Sequence, residues 1–187
     1  MESDMTIVCL GWGSLLWDPR ELPLASEWRH DGPELPIEFA RQSADGRITL
    51  VIDTQAAPLK VFSADLGVVS LVEAQEALAA RENITSRYLD RSVGHWSPSG
   101  SSGHKECEVV EKWASDTNCA GVVWTALKPK FNGAFVPPTC AQVVDYLEGL
   151  EGETRSEAER YIRRTPGPIR TAFRDEIERA LGWMPIE

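Results

Sequence analysis

The first half of the chain alternates short apolar runs with turn residues, a pattern that is typical of β-strands. Runs of strand character occupy residues 7–10, 37–42, 47–52, 59–62 and 119–127. The Asp45-Gly46 pair between the second and third runs is a strong signal for a tight turn, so these two runs are predicted to form a β-hairpin. We expect the last run to close the sheet.

Helical patterns occupy one segment of the first half and most of the last third. Residues 71–82 are rich in helix-forming residues, and Ser70 and Glu73 have the spacing of a capping box at the start of a helix. Further helices are predicted over residues 139–150, 157–164 and 169–181. Apolar residues four positions apart give the last of these helices one buried face. The order of elements therefore predicts a mixed α+β fold.

Residues 92–106 interrupt this pattern with a run of glycine, serine and proline, which predicts a flexible loop. The loop would be either a mobile lid with Trp96 as an apolar plug or a surface excursion. The chain contains no internal repeat and no linker long enough to divide it. A single domain over residues 1–187 is therefore predicted.

Composition and charge narrow the classes of partner. The 187 residues are 42% hydrophobic, which is enough for one sizeable core. The net charge of -10 argues against a nucleic-acid partner, because phosphate binding depends on clustered lysine and arginine, and it favours a small molecule. No apolar run is long enough for a membrane span, and the N-terminus lacks the features of a secretory signal. We expect a cytoplasmic protein.

The cysteines and histidines give no signal for a metal or a cofactor. Cys9, Cys107, Cys119 and Cys140 are widely spaced, contain no C-x-x-C pair, and are expected to stay as thiols in a reducing compartment. His95 and His104, with Cys107, match no usual spacing of metal ligands. We therefore expect neither a bound metal nor a cofactor.

The first apolar strand runs directly into the segment Gly11-Trp12-Gly13-Ser14-Leu15. The two glycines permit positive φ and close approach of a ligand, so backbone N–H groups could converge there on an anion or a carbonyl oxygen. A plain tight turn after a strand fits the same residues. Leu16 stands where both a nucleophile elbow and a dinucleotide-binding fingerprint require glycine, so neither of those sites is predicted.

Three segments in the first half of the chain resemble those of one known family, in the same order. They are the run 11–17, which is similar to a G-Y-G-S-L-I-W opening with Trp12 in place of the tyrosine, the hairpin 41–51 ending in Thr49-Leu50-Val51, and the triplet Ala80-Arg81-Glu82. Together they resemble the γ-glutamylcyclotransferase superfamily, especially its ChaC-type and related uncharacterised bacterial members.

The resemblance implies a small mixed sheet or barrel with surrounding helices. It also implies a reaction in which the α-amino group of a γ-glutamyl unit attacks its own γ-carbonyl and releases 5-oxoproline and an amine, glutathione being one candidate substrate. Glu82 would be the general base. Substrate would be bound by Gly11, Trp12, Gly13, Ser14 and Leu15, and the N–H groups of the last three would hold the γ-glutamyl group or the developing oxyanion.

The position of Glu82 at the end of a predicted helix has a physical consequence. The negative end of the helix dipole raises the pKa of a carboxylate there, as desolvation would, and makes it a better base. Without the resemblance, Glu82 is expected to be a solvated residue on the helix surface.

Two other classes of function remain open. One is a non-catalytic binding module for γ-glutamyl or related amino compounds on the same fold, and the other is an amide hydrolase with a cysteine or serine nucleophile. Arginines at 160, 163, 164, 170 and 174 lie among acidic residues, so we expect ion pairs on exposed helix faces rather than a substrate site.

Overall fold

The computed structural model of the protein describes residues 6–186. Its strands are β1 (Ile7–Gly11), β2 (Glu34–Gln42), β3 (Ile48–Ile52), β4 (Pro58–Lys60), β5 (Phe62–Leu66), β6 (Val93–Ser97), β7 (Gly100–Ser101) and β8 (Gly121–Thr125). Its α-helices are α1 (Leu71–Arg81), α2 (Leu89–Ser92), α3 (Cys107–Asp116), α4 (Cys140–Glu148), α5 (Gly152–Arg164) and α6 (Ala172–Leu181). The predicted α+β class is confirmed. The strands of the described chain form two sheets and no closed barrel, so the barrel form of the prediction is wrong.

The described chain divides into two compact units. The first unit contains the residues up to Gly11 together with 18–35 and 60–127, and the second contains 12–17, 36–59 and the residues from 128 onward. No helix within residues 6–186 combines the length and the apolar character needed to cross a bilayer. The single domain that chain length predicts stays a prediction.

The first unit is built on a five-stranded sheet in the order β5-β1-β8-β6-β7. β1 runs parallel to β8, with Val8 opposite Val122, and antiparallel to β5. The predicted strand in 119–127 is therefore present, but it lies in the middle of the sheet and does not close it. Helices α1, α2 and α3 pack against this sheet.

The prediction of a loop throughout 92–106 is wrong, because β6 occupies Val93–Ser97 and pairs with the central strand β8. Gly94 lies opposite Trp124 in this ladder, and a Cβ atom at residue 94 would overlap the Trp124 indole. Gly94, which contributed to the loop prediction, is thus needed to make room for the Trp124 indole. Trp96 is buried in the sheet and is not a plug over a pocket.

Helix α1 begins and ends close to the predicted residues. The Ser70 side chain accepts a hydrogen bond from the Glu73 N–H at 3.2 Å, as the cap predicts. The Glu73 carboxylate accepts from the N–H of Val69 at 3.0 Å instead of completing the box at Ser70. Glu82 is the C-cap residue, and its N–H donates to the carbonyl of Leu78 at 3.0 Å.

The second unit contains a three-stranded sheet in the order β3-β2-β4. The predicted hairpin is confirmed as β2 and β3, and Gly46 in its turn has a φ of 86°, which glycine adopts without strain. The single strand predicted over 59–62 is wrong. The chain there leaves β4 at Lys60 and enters β5 at Phe62, and these two strands belong to different sheets.

All three predicted C-terminal helices are present. Helix α4 has a full capping box between Thr139 and Gln142, and α5 begins at Gly152, earlier than the pattern predicted. Arg160 and Arg163 pair with acidic residues along α5, as expected.

Arg174 is the exception among the arginines, because its side chain is fully buried. It donates to the carbonyls of Thr165, Pro166 and Ile169 and pairs with Glu178 at 3.2 Å. Burial lowers the pKa of this guanidinium. Arg174 therefore connects the 165–169 segment to α6 by hydrogen bonds. Its buried guanidinium is not accessible to a substrate.

Candidate functional site

The residues predicted to form the site divide between the two units. Gly11 and Glu82 belong to the first unit, and Trp12, Gly13, Ser14 and Leu15 belong to the second. The chain passes from one unit to the other at the Gly11–Trp12 peptide bond, within the predicted glycine motif.

In the first unit, the Glu82 carboxylate is held at the end of α1 by its neighbour. The Glu82 side chain is 18% exposed, and its Oε1 lies 3.1 Å from Nη1 of Arg81, which is 6% exposed. Arg81 in turn donates to the carbonyl of Asp18 through Nε at 3.1 Å and Nη2 at 2.6 Å. Glu82 is thus a fixed, largely buried carboxylate and not a solvated residue on the helix surface.

The end of β1 lies within electrostatic range of this ion pair. Burial raises the pKa of the Cys9 thiol, the Glu82 carboxylate adds to the rise, and the Arg81 guanidinium opposes it. Helix α1 packs against β1, and Cys9 lies two residues before Gly11. The Glu82 carboxylate is therefore near enough to Cys9 in β1 for its charge to act on the thiol.

The glycine motif does not adopt the left-handed loop expected of it. Gly11 is the last residue of β1, opposite Phe62, and Gly13 has φ -124° and ψ -136°, so neither glycine has positive φ. Residues Ser14–Leu16 form a 3-10 turn in which the Leu16 N–H donates to the Gly13 carbonyl at 3.0 Å.

A close contact with Tyr161 explains why residue 13 is glycine. A Cβ atom at this position would lie 2.6 Å from the Tyr161 hydroxyl oxygen, which is closer than real Cβ contacts come. That hydroxyl accepts a hydrogen bond from the Leu50 N–H at 3.2 Å. The Trp12 indole N–H donates to the Leu50 carbonyl at 3.3 Å. Both backbone groups of Leu50 on the edge strand β3 are therefore bonded to side chains.

Trp12 and Leu15 are buried, so their side chains belong to the core of the second unit. Sequence reasoning missed Tyr161, which α5 carries on its buried face beside Ala158 and Ile162. The spacing of apolar residues along α5 indicates that Tyr161 is buried, but no local sequence signal shows that it packs against Gly13.

The ring of Tyr161 is surrounded by aromatic and cationic side chains of the second unit. Trp17 meets it edge-on at a centroid distance of 5.4 Å, and Phe39 does so at 6.4 Å. The Arg47 guanidinium lies 5.4 Å from the ring centroid, where a cation is attracted to the aromatic face.

The cysteines offer little support for a thiol nucleophile. Burial raises the pKa of Cys9, Cys119 and Cys140, which disfavours the reactive thiolate. Cys107 is buried beside Ser102, whose hydroxyl also lies 2.7 Å from Nδ1 of His104. Within the described residues no group of three or more histidine, cysteine or acidic side chains is arranged to hold a metal ion.

Comparison with known proteins gives the chain no family. No family model matches the sequence, and no curated protein is significantly similar to it. The likeness to the γ-glutamylcyclotransferase superfamily therefore depends on the three short segments at 11–17, 41–51 and 80–82.

Proposed function

We propose that this protein catalyses a γ-glutamylcyclotransferase-like reaction on a small γ-glutamyl peptide or amine. The α-amino nitrogen of the substrate forms a bond to its own γ-carbonyl carbon, and the amide bond to the leaving nitrogen breaks. The products are 5-oxoproline and a free amine or amino acid. Ring closure is intramolecular, so the enzyme's tasks are orientation, proton transfer and stabilisation of the oxyanion.

The observation that carries this proposal is the fixed carboxylate at the end of α1. Glu82 is the residue that the family resemblance assigns as base, and it is largely buried, ion-paired to Arg81 and backed by β1. A side chain held by a buried neighbour stays in one geometry, which proton transfer requires.

Glu82 and the backbone N–H groups of residues 13–15 have different roles in the proposed reaction. Glu82 removes one proton from the substrate ammonium group and then returns it to the leaving nitrogen. As the ring closes, the attacking nitrogen loses a second proton to solvent water, and the released amine takes up one proton from solvent, so the proton balance is closed without a cofactor. The N–H groups of Gly13, Ser14 and Leu15 bind the γ-carbonyl oxygen as it gains negative charge.

Replacement of the proposed base provides the test. Glu82→Gln keeps the size of the side chain but cannot take the ammonium proton, so kcat for 5-oxoproline formation should fall by about 10²–10⁴-fold while substrate still binds. Turnover of a panel of γ-glutamyl peptides and amines would be followed by mass spectrometry. Glu76→Gln, at an exposed position of the same helix, is the matched control and should retain wild-type kcat.

The same assay separates the alternatives by their products. Free glutamate together with a covalent adduct would indicate an amide hydrolase with a serine or cysteine nucleophile. Binding without turnover, with Glu82→Gln changing affinity alone, would indicate a binding module. A folded Glu82→Gln variant that forms 5-oxoproline at nearly the wild-type rate would contradict the proposed mechanism.

A further inference from the structure

We infer that Tyr161 is a positioning residue, whose hydroxyl fixes the backbone of residues 12–15 through its contact with Gly13. Its catalytic consequence rests on the proposed function, because that function assigns the oxyanion to the N–H groups of residues 13–15. The contact itself belongs to the packing of the second unit and can be tested without any activity.

The first step of the argument is the distance between the two residues. The Tyr161 hydroxyl oxygen lies 2.6 Å from the place where a Cβ atom of residue 13 would stand, and the next ring atom, Cζ, lies 3.6 Å from it. The hydroxyl oxygen alone therefore excludes a side chain at residue 13. Without that oxygen, a Cβ atom would make an ordinary van der Waals contact with the ring.

The second step is that Tyr161 has little freedom to move aside. The residue is 6% exposed, and its ring is packed edge-on against Trp17 and Phe39. A shift of the hydroxyl would also take the acceptor away from the buried N–H of Leu50, and a buried donor without an acceptor is costly. The position of the hydroxyl is therefore set by β3 and by the aromatic packing.

The third step concerns the neighbouring residue. Trp12 is bonded through its indole to the Leu50 carbonyl, while Tyr161 is bonded to the Leu50 N–H. The Trp12 indole and the hydroxyl that lies against Gly13 are thus both hydrogen-bonded to Leu50 of the edge strand β3. Oxyanion stabilisation depends on donors placed within a few tenths of an ångström, so an altered Gly13 position should appear in kcat.

A double-mutant cycle with Gly13→Ala and Tyr161→Phe tests this inference. In the wild-type background, Gly13→Ala should lower the Tm by at least about 4 °C and kcat by at least about 10-fold, with a smaller change in KM. In the Tyr161→Phe background the same substitution should cost less than half as much in both quantities. Any backbone preference of alanine at φ -124° is present in both backgrounds and cancels in the cycle.

Tyr146→Phe is the matched control for loss of a hydroxyl group. Tyr146 also lies in the second unit, and its hydroxyl donates to the Gly46 carbonyl at 2.7 Å in the β2–β3 turn. This variant should lose stability to a similar extent as Tyr161→Phe. Its kcat should stay within about 2-fold of the wild type, whereas Tyr161→Phe should lower kcat by more than about 5-fold.

Strictly additive effects on Tm would overturn the contact, and equal kcat values for Tyr161→Phe and Tyr146→Phe would overturn the positioning role. If the wild type forms no 5-oxoproline, the proposed function and the catalytic part of this inference both fail. The Tm cycle would then still decide whether the Tyr161 hydroxyl holds residue 13.

Discussion

Glu38 is a carboxylate in the interior of the second unit, with 3% of its surface exposed. It accepts hydrogen bonds from its neighbour Phe39, at 2.8 Å, and from the N–H of Phe173 in the first turn of α6, at 3.3 Å. Burial raises its pKa, although the hydrogen bonds from Thr171, Phe39 and Phe173 act in the opposite direction. Glu38 therefore joins β2 to the start of α6 at an electrostatic cost.

The raised pKa of Glu38 predicts how the stability of the fold depends on pH. A folded-state pKa above the unfolded value means that the folded protein binds the Glu38 proton more tightly, so stability falls as pH rises from about 4.3 through the folded pKa. Glu38→Gln removes this titration. Urea unfolding at several pH values should show wild type losing stability relative to Glu38→Gln across that window.

Glu34→Gln, at the exposed end of the same strand, is the control and should follow the wild-type pH dependence. A difference between wild type and Glu38→Gln that stays constant with pH would show that Glu38 has an ordinary pKa.

At the scale of residues, the sequence predicts those parts of the candidate site that local patterns specify. Glu82 is at the helix end that the Ser70 cap and the following helix formers indicate. The sequence does not predict that Arg81 is anchored on the Asp18 carbonyl, because 63 residues separate the two. Tyr161 and Gly13 are paired only by packing, and the steric reason for the glycine is invisible without that contact.

At the scale of elements, strand β6 is the clearest example of a wrong prediction from composition. Its residues are typical of a loop, yet the strand lies inside the five-stranded sheet between β8 and β7. Its residues pair with β8 from Val93 opposite Thr125 to Trp96 opposite Val122. The Trp124 indole lies against Gly94 and donates to the Glu106 carboxylate at 2.7 Å. Residues 93–97 form a strand because β8 supplies their backbone hydrogen-bond partners and because Gly94 leaves room for the Trp124 indole.

Gly94→Ala distinguishes this strand from the loop that the composition predicts. A methyl group at residue 94 would overlap a fully buried indole, and we expect a loss of at least about 3 kcal/mol in the free energy of unfolding. Chemical denaturation would measure this change. In a loop, the same substitution would be nearly neutral.

Gly167→Ala is the control for this prediction, because nothing lies within 4 Å of a Cβ atom at residue 167 and its φ is not positive. It should change stability by less than about 1 kcal/mol in either direction. Similar values for the two variants would contradict the packing described for Gly94.

Elements with local signals were predictable, and those that depend on partners were not. The Asp45-Gly46 turn, the Ser70 cap and the helix start at Thr139 each specify an element within a few residues, and each is confirmed. The division at Val61 into β4 and β5 depends on which sheet supplies hydrogen bonds on either side. No pattern within residues 58–66 contains that information.

At the scale of the whole molecule, neither compact unit is a continuous piece of chain. The boundaries fall after Gly11, Trp17, Leu35, Leu59 and Leu127, so each unit is assembled from three separate segments. Local opening of one unit therefore releases the ends of segments that belong to the other. This connectivity favours unfolding as one cooperative event.

The single domain predicted from chain length can be tested on this basis. Scanning calorimetry should show one transition whose calorimetric enthalpy equals the van't Hoff enthalpy. Trp96 and Trp124 in the first unit and Trp12 and Trp183 in the second are buried. Tryptophan fluorescence and far-UV circular dichroism should therefore report the same midpoint. Two resolved transitions would instead show that the units are separate domains.

The parallel pairing of β1 with β8 has a consequence for synthesis of the protein. Ile7 lies opposite Gly121, so the ribosome adds roughly 110 residues after β1 before its central neighbour exists. At about 5–20 residues per second, this interval lasts on the order of 5–25 s. During it, β5 is the one neighbour of β1 in the described sheet that has already been made, and the other edge of β1 stays unpaired and apolar. A nascent chain that stalls before residue 121 would therefore depend on chaperones to avoid aggregation.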